Sequence, residues 1–206
     1  NISMSLSKQG EGDSEGTKLS DMKNAALLAP RAEDGTWLGK ANMPTRRGWL
    51  STSAVNGKIY AIGGIGGGFL TNVEEYDPET DTWTRKAPMT IGRYALSTSV
   101  VNGKIYAIGG ITSVPTSTAT VEEYDPVTDS WVMKTSMSAT RSYFSTSVVY
   151  DRIYAIGGAT HPLGAPVLVV EEYDPTTDTW MNTGDMLTAR MVLSTSNVNG
   201  KIYAIG

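Results

Sequence analysis

Residues Asn56–Gly64 read NGKIYAIGG, and the same nine residues stand again at Asn102–Gly110. DRIYAIGG occupies Asp151–Gly158, and NGKIYAIG runs from Asn199 to Gly206. The Asn-Gly pair reads as a two-residue hairpin turn, because both residues accept the left-handed backbone that such a turn needs. Lys58–Ile62 is apolar on both faces, with Ile59 and Ala61 opposed to Tyr60 and Ile62. That pattern predicts a strand buried on both sides. Gly63-Gly64 then lets the chain leave the strand with little steric conflict. The unit to be explained is therefore a repeat.

Working outward, EEYDP follows at Glu74–Pro78, Glu122–Pro126 and Glu171–Pro175, and each copy leads to a tryptophan, Trp83, Trp131 or Trp180. Seven residues separate Tyr from Trp in every copy, and 26 separate Trp from the next glycine pair, counting also from Trp37. Only the segment from glycine to Tyr changes, at 13, 15 and then 16 residues. All length variation thus falls in one loop per repeat, where insertions are tolerated and function is often carried. Each unit reads as four strands: Leu50–Val55 with Ser-Thr-Ser in its middle, Lys58–Ile62, Asn72–Tyr76 closed by the Asp77-Pro78 turn, and a strand around Trp83. The third copy has Tyr150-Asp151 where the others have Asn-Gly, a less comfortable fit to the same turn.

The period of 46 to 49 residues lies nearer the kelch repeat, at about 50, than the WD repeat, at about 40–45. Over residues 37–206 the glycine pair after an apolar strand, the later Tyr and the spaced Trp resemble the kelch family, and neither Gly-His nor Trp-Asp occurs. The resemblance implies an all-β fold, a kelch-type β-propeller of four-stranded antiparallel blades, with about four blades present. Repeats are expected at 37–83, 84–131, 132–180 and, in part, 181–206, within a propeller spanning 27–206. Residues 1–26, rich in Ser, Gly, Lys, Asp and Glu, read as a polar tail or linker. Because the last repeat stops inside its own motif, a larger ring is expected, closed by missing blades or a second chain. A self-closed four-bladed ring is the other reading, with the last two strands meeting the Trp37 strand and Leu27–Pro30.

The charge balance, 17 basic against 21 acidic residues for a net of −4, makes nucleic acid a poor partner. With no Cys and one His, His161, thiolate chemistry and a site of two imidazoles within one chain are excluded. No apolar run approaches the roughly 20 residues of a membrane span. No cofactor or metal is expected.

Strand direction puts the loop before the first strand and the loop after the second on one face. In the kelch family this face carries the usual binding surface. Arg47, Arg93, Arg141 and Arg190 stand there at one repeated position, each four residues after a Met. A ring of guanidinium groups suits carboxylates or phosphorylated side chains; family adaptor domains use arginines here to hold acidic peptides. Alternatively, each Arg bonds carbonyls or a neighbouring blade's Glu as part of the scaffold. Two residues later the copies differ, as Trp49, Ala95, Tyr143 and Val192, and differing positions are the better candidates for specificity. The variable loops are Ile65–Thr71, with Phe69, then Ile111–Thr120 and Ala159–Val169. Trp49, Phe69 and Tyr143 are the favoured contacts, since aromatic residues and Arg dominate binding hot spots. Within each Glu-Glu pair, one side chain faces inward and one outward, so the two do not form an acid–base pair. The reading is a non-enzymatic binding module for a protein or peptide, acidic partners among the candidates. A carbohydrate-active enzyme of the sialic-acid epimerase or hydrolase kind and a structural repeat array remain as alternatives.

Overall fold

The computed structural model describes Met4–Ser5 and residues 38–206. Trp37, Leu27–Pro30 and, beyond Met4–Ser5, the polar segment 1–26 lie outside the described residues. The chain divides into two compact units, Asn1–Met43 and Pro44–Gly206. In the first, β1 (Met4–Ser5) pairs antiparallel with β2 (Leu38–Gly39).

The second unit is a succession of antiparallel sheets, and no helix occurs among the described residues. The first sheet runs β3 (Ser51–Val55), β4 (Lys58–Ile62), β5 (Val73–Asp77), β6 (Thr82–Lys86) in spatial as in chain order. The second holds β7 (Ser97–Val101), β8 (Lys104–Ile108), β11 (Val121–Asp125) and β12 (Ser130–Lys134). Its variable loop forms a small hairpin of its own, β9 (Ile111–Ser113) with β10 (Thr116–Ser117). The third sheet holds β13 (Ser145–Val149), β14 (Arg152–Ile156), β15 (Val167–Asp174) and β16 (Thr179–Arg190). The last two are longer than their counterparts, and their pairing shifts register twice. A fourth sheet has two strands, β17 (Ser194–Val198) and β18 (Lys201–Ile205).

The hairpin turns take the backbone the sequence predicts. Asn56 and Asn102 have φ of 52° and 50°, and the following glycines 74° and 73°. Tyr150 and Asp151 adopt the same turn at 49° and 60° without a glycine, a conformation that L-residues accept at a cost.

The core lies between blades. One cluster joins Tyr60, Ile62 and Val73 of the first sheet to Leu96, Ile105 and Tyr124 of the second. A second joins Tyr106, Ile108 and Val121 to Phe144, Ile153 and Tyr173 of the third. Met89 and Met137, at the crossings between sheets, fill these clusters as flexible side chains do in irregular gaps. Each fully buried large apolar side chain contributes about 1.5–3 kcal/mol relative to exposure.

The fixed spacing from Tyr to Trp has a mechanical reason. Tyr124 and Trp131 are direct cross-strand partners, with ring centroids 5.0 Å apart. The Tyr124 hydroxyl donates to Asp129 Oδ1 at 2.6 Å, and that same oxygen accepts the Ala87 N–H at 2.9 Å. Trp131 Nε1 donates to the Ala87 carbonyl at 2.8 Å. Three side chains of one blade thus clamp the strand exit of the blade before it. Tyr173, Asp178 and Trp180 do the same to Thr135. Neighbouring first strands are joined by hydroxyls: Thr98 Oγ1 lies 2.9 Å from Ser51 Oγ and accepts from Ser53 Oγ at 2.8 Å. Thr146 and Thr195 repeat the arrangement.

Candidate functional site

The loop face is built on the four arginines, and the structure turns three of them inward. Arg47 Nη1 donates to the carbonyls of Gly63 (2.9 Å) and Asn72 (2.8 Å), and Nη2 to Glu74 Oε2 (2.6 Å). Arg93 donates to the carbonyls of Gly109 (3.2 Å) and Thr120 (2.9 Å) and pairs with Glu122. Arg141 donates to the carbonyls of Gly157 (3.2 Å) and Val169 (2.9 Å) and to Glu171 Oε2 (2.5 Å). Arg190 Nη1 donates to the Gly206 carbonyl. In each of the first three pairs Arg and Glu belong to the same blade, and both side chains are sealed from solvent. The Glu is the first of its Glu-Glu pair, whose side chain the strand alternation directs inward. Burial lowers the pKa of Arg47, Arg93 and Arg141, and the facing Glu opposes that shift. The same carboxylates also accept from the loop in front of the Arg: Thr45 Oγ1 at 2.6 Å, Thr90 N at 2.7 Å and Ser138 N at 2.9 Å. In each four-stranded blade one buried ion pair therefore pins both loops of the face to the third strand.

Above these pairs runs an arc of backbone. Trp49, Ala95, Tyr143 and Val192 all have left-handed φ, between 52° and 57°. The Ala95 N–H donates to the Trp49 carbonyl (2.9 Å), Tyr143 N–H to the Ala95 carbonyl (3.2 Å), and Val192 N–H to the Tyr143 carbonyl (2.7 Å). This chain of hydrogen bonds passes from blade to blade. The second glycine of each pair adds a link, since Gly64, Gly110 and Gly158 N–H donate to the carbonyls of Arg93, Arg141 and Arg190. The four left-handed residues rim an open depression of 260 Å³ whose floor includes Leu50, Leu96, Phe144 and Leu193.

The structure brings two of the favoured aromatic residues together at this rim. Trp49 and Tyr143 meet edge to face with centroids 5.6 Å apart. Phe69 is on the first variable loop and stacks on Tyr94 at 5.7 Å and 23°. Tyr94 in turn faces the Tyr143 hydroxyl; burial first, and this neighbour second, push the Tyr143 pKa up. Phe69, Tyr94, Tyr143 and Trp49 thus form one continuous aromatic row across three blades. Trp49 is 55% exposed and Phe69 37%, so the row presents area to solvent. Tyr94 was not singled out by sequence reasoning. Its position also differs between copies, as Gly48, Tyr94, Ser142 and Met191, and that variation was the available signal.

The charge of the face is one-sided. The loop segments 44–49, 65–71, 90–95, 111–120, 138–143 and 159–166 contain no Asp or Glu. Arg46 and His161 are exposed there. A separate hollow of 450 Å³ on the flank of the third blade is lined by Arg152, Glu172 and Asp174. There Arg152 is matched to both carboxylates, at 3.3 and 2.6 Å.

Three sheets of one four-stranded pattern, joined through first strands and clamped by Tyr, Asp and Trp, define a β-propeller architecture. The family profile of the kelch motif matches residues 50–90, 92–138 and 140–187, and the chain belongs to that family. No curated protein matches the sequence. Among solved structures, that of YjhT is similar, with a TM-score of 0.71 and 21% identity over 81% of this chain. The likeness is one of fold, and this chain spans 62% of that one.

Proposed function

We propose that this protein is a binding module that takes up a protein or peptide on its loop face, through the aromatic row and the depression beside it. The observation that carries this reading is the contrast in how aromatic side chains are used. The repeated Tyr and Trp residues are packed within and between blades, whereas Trp49, Phe69, Tyr94 and Tyr143 sit at non-repeating positions on adjoining loops of one face. Exposed aromatic residues clustered around a depression are the usual anchors of recognition. In this reading Arg47, Arg93 and Arg141 act on the partner through the loops they hold. Arg46, exposed on a face whose loops lack carboxylates, supplies the preference for an acidic or neutral partner over a basic one.

A peptide library displayed against the full chain tests this. The enriched sequences should lose binding when Trp49 or Tyr143 is replaced by Ala, and keep it when Tyr150, on a hairpin of the opposite face, is replaced. Enriched peptides indifferent to both loop-face changes would overturn the proposal.

A further inference from the structure

Trp49 differs from the scaffold tryptophans in one chemical respect. Trp131 and Trp180 donate their indole N–H groups to the carbonyls of Ala87 and Thr135. The Trp49 indole has no such acceptor among the described residues, although the ring packs against that of Tyr143. A ring fixed in place with a free donor is equipped to bind a carbonyl oxygen. Beside it, the Tyr94 and Tyr143 hydroxyls face each other and provide a further polar point within an apolar row. The row therefore sets flat apolar surface beside the free indole donor of Trp49.

That combination matches one backbone conformation better than others. A polyproline II segment has no internal hydrogen bonds, so all its carbonyls seek outside donors. Its proline rings form a ridged apolar surface, and it arrives already ordered, so little conformational entropy is lost on docking. A strand would bring backbone N–H and C=O groups that the face has no free edge to pair, because the loops already hydrogen-bond one another from blade to blade, whereas a proline segment has no N–H to leave unpaired. The depression, at 260 Å³, lies just under the roughly 300–1,000 Å³ typical of small-molecule sites, and suits a single side chain of a peptide instead. Charge points the same way: with no carboxylate on these loops and Arg46 exposed, flanking Lys or Arg is disfavoured and flanking acid is matched.

We infer that the aromatic row Phe69–Tyr94–Tyr143–Trp49 is a docking groove for a proline-rich segment in the polyproline II conformation, with acidic rather than basic flanks. The inference rests on the loop face being the binding face and specifies what binds there.

The test uses the full chain with its Trp indole nitrogens labelled with nitrogen-15, and two synthetic probes with identical glutamate flanks. One has a proline-only core and the other a Gly-Ser core. The proline probe should shift the Trp49 indole resonance saturably and leave those of Trp131 and Trp180 in place, and Tyr143→Ala should weaken it roughly tenfold or more. Trp49→Gly, which suits the left-handed backbone there, should abolish binding with thermal unfolding unimpaired. Equal responses to both probes would mean that the acidic flanks alone bind, and would overturn the inference; so would no response to either. The peptide library separates the two levels of failure. Proline-free sequences that still depend on Trp49 would remove the polyproline assignment and leave the binding face. Sequences indifferent to Trp49 and Tyr143 would remove both.

Discussion

The interfaces between blades and the rim of the loop face are made from the same residue types but obey opposite rules. Between blades, Tyr124, Asp129 and Trp131 recur as Tyr173, Asp178 and Trp180 with hydrogen bonds that agree within 0.1 Å. At the rim, Trp49, Ala95, Tyr143 and Val192 share one backbone geometry and have no side chain in common. A repeat scaffold fixes the positions from which side chains project. Once the backbone arc is held by its own hydrogen bonds and by the buried Arg–Glu pairs beneath, the side chains above it can differ without disturbing the stack.

The largest effect should come from breaking the layer that joins these two regions. Glu122→Ala leaves Arg93 buried and uncompensated, and loss of one partner of a buried pair costs about 3–5 kcal/mol. Urea unfolding should show that loss directly. The same change at the surface pair of Lys58 and Asp77, 2.7 Å apart and partly exposed, should move the midpoint far less, since solvent and salt screen such pairs. Comparable losses at both sites would refute the view that the Arg–Glu layer anchors the face.

Gly109→Ala probes the link between blades. A Cβ there would approach the Arg141 carbonyl oxygen to 2.5 Å, at a φ of +58°. Left-handed strain of about 1–2 kcal/mol and a backbone clash of about 1–3 kcal/mol should both appear as lost stability in urea. The parallel change at Gly103, in a hairpin turn with nothing within 4 Å of the added atom, should cost only the strain. The difference between the two measures how tightly the blades are closed on each other.

Acid should act on the turns rather than on the rim. Hydrogen bonds from Lys58 and from the Glu79 N–H hold the Asp77 carboxyl at about 2, below its ordinary 3.8. Asp125 and Asp174 are lowered in the same sense by Lys104 and by the Thr176 N–H respectively. A depressed carboxyl contributes stability that is present above its unfolded value and is lost as pH falls through its folded one. Unfolding free energy should therefore decline from about pH 4 toward pH 2, and Lys58→Met should flatten part of that decline. An unchanged profile in the variant would show that the pair carries no linkage.

The contrast also explains what the sequence disclosed. Strand β4 falls where the two-faced apolar run Lys58–Ile62 predicts it, and the turns fall at Asn-Gly, because these features are local in the chain. The direction of the arginines was not legible: Arg93 turns inward to Glu122, 29 residues away, and no local pattern distinguishes a guanidinium facing solvent from one facing a strand of its own blade. The sequence left open a partner in the neighbouring blade, whereas the pairing is within the blade. The hairpin β9–β10 inside the Ser- and Thr-rich loop was unmarked by any alternation. Tyr94 joins the site because loops of successive blades lie side by side, which spacing along one repeat does not encode.

The smallest effect bears most directly on why the rim is variable. Val192 is β-branched, 63% exposed, and held at φ 54°, a region that non-glycine residues occupy at about 1–3 kcal/mol. Gly would remove that strain, offset by about 0.4–1 kcal/mol of added freedom in the unfolded chain. The difference leaves Val192→Gly a gain of between about 0 and 2.6 kcal/mol, drawn toward the lower end by the lost contacts of the side chain, and read as a shift in the urea midpoint at constant slope. The chain places glycine at Gly63 and Gly64, where the backbone also turns left-handed and nothing projects. At the rim it carries Trp, Ala, Tyr and Val in the same region of φ. A gain in stability at Val192 would mark the rim as a place where strain is retained to project side chains, and a loss would mean that Val192 is held there by packing as the blade residues are.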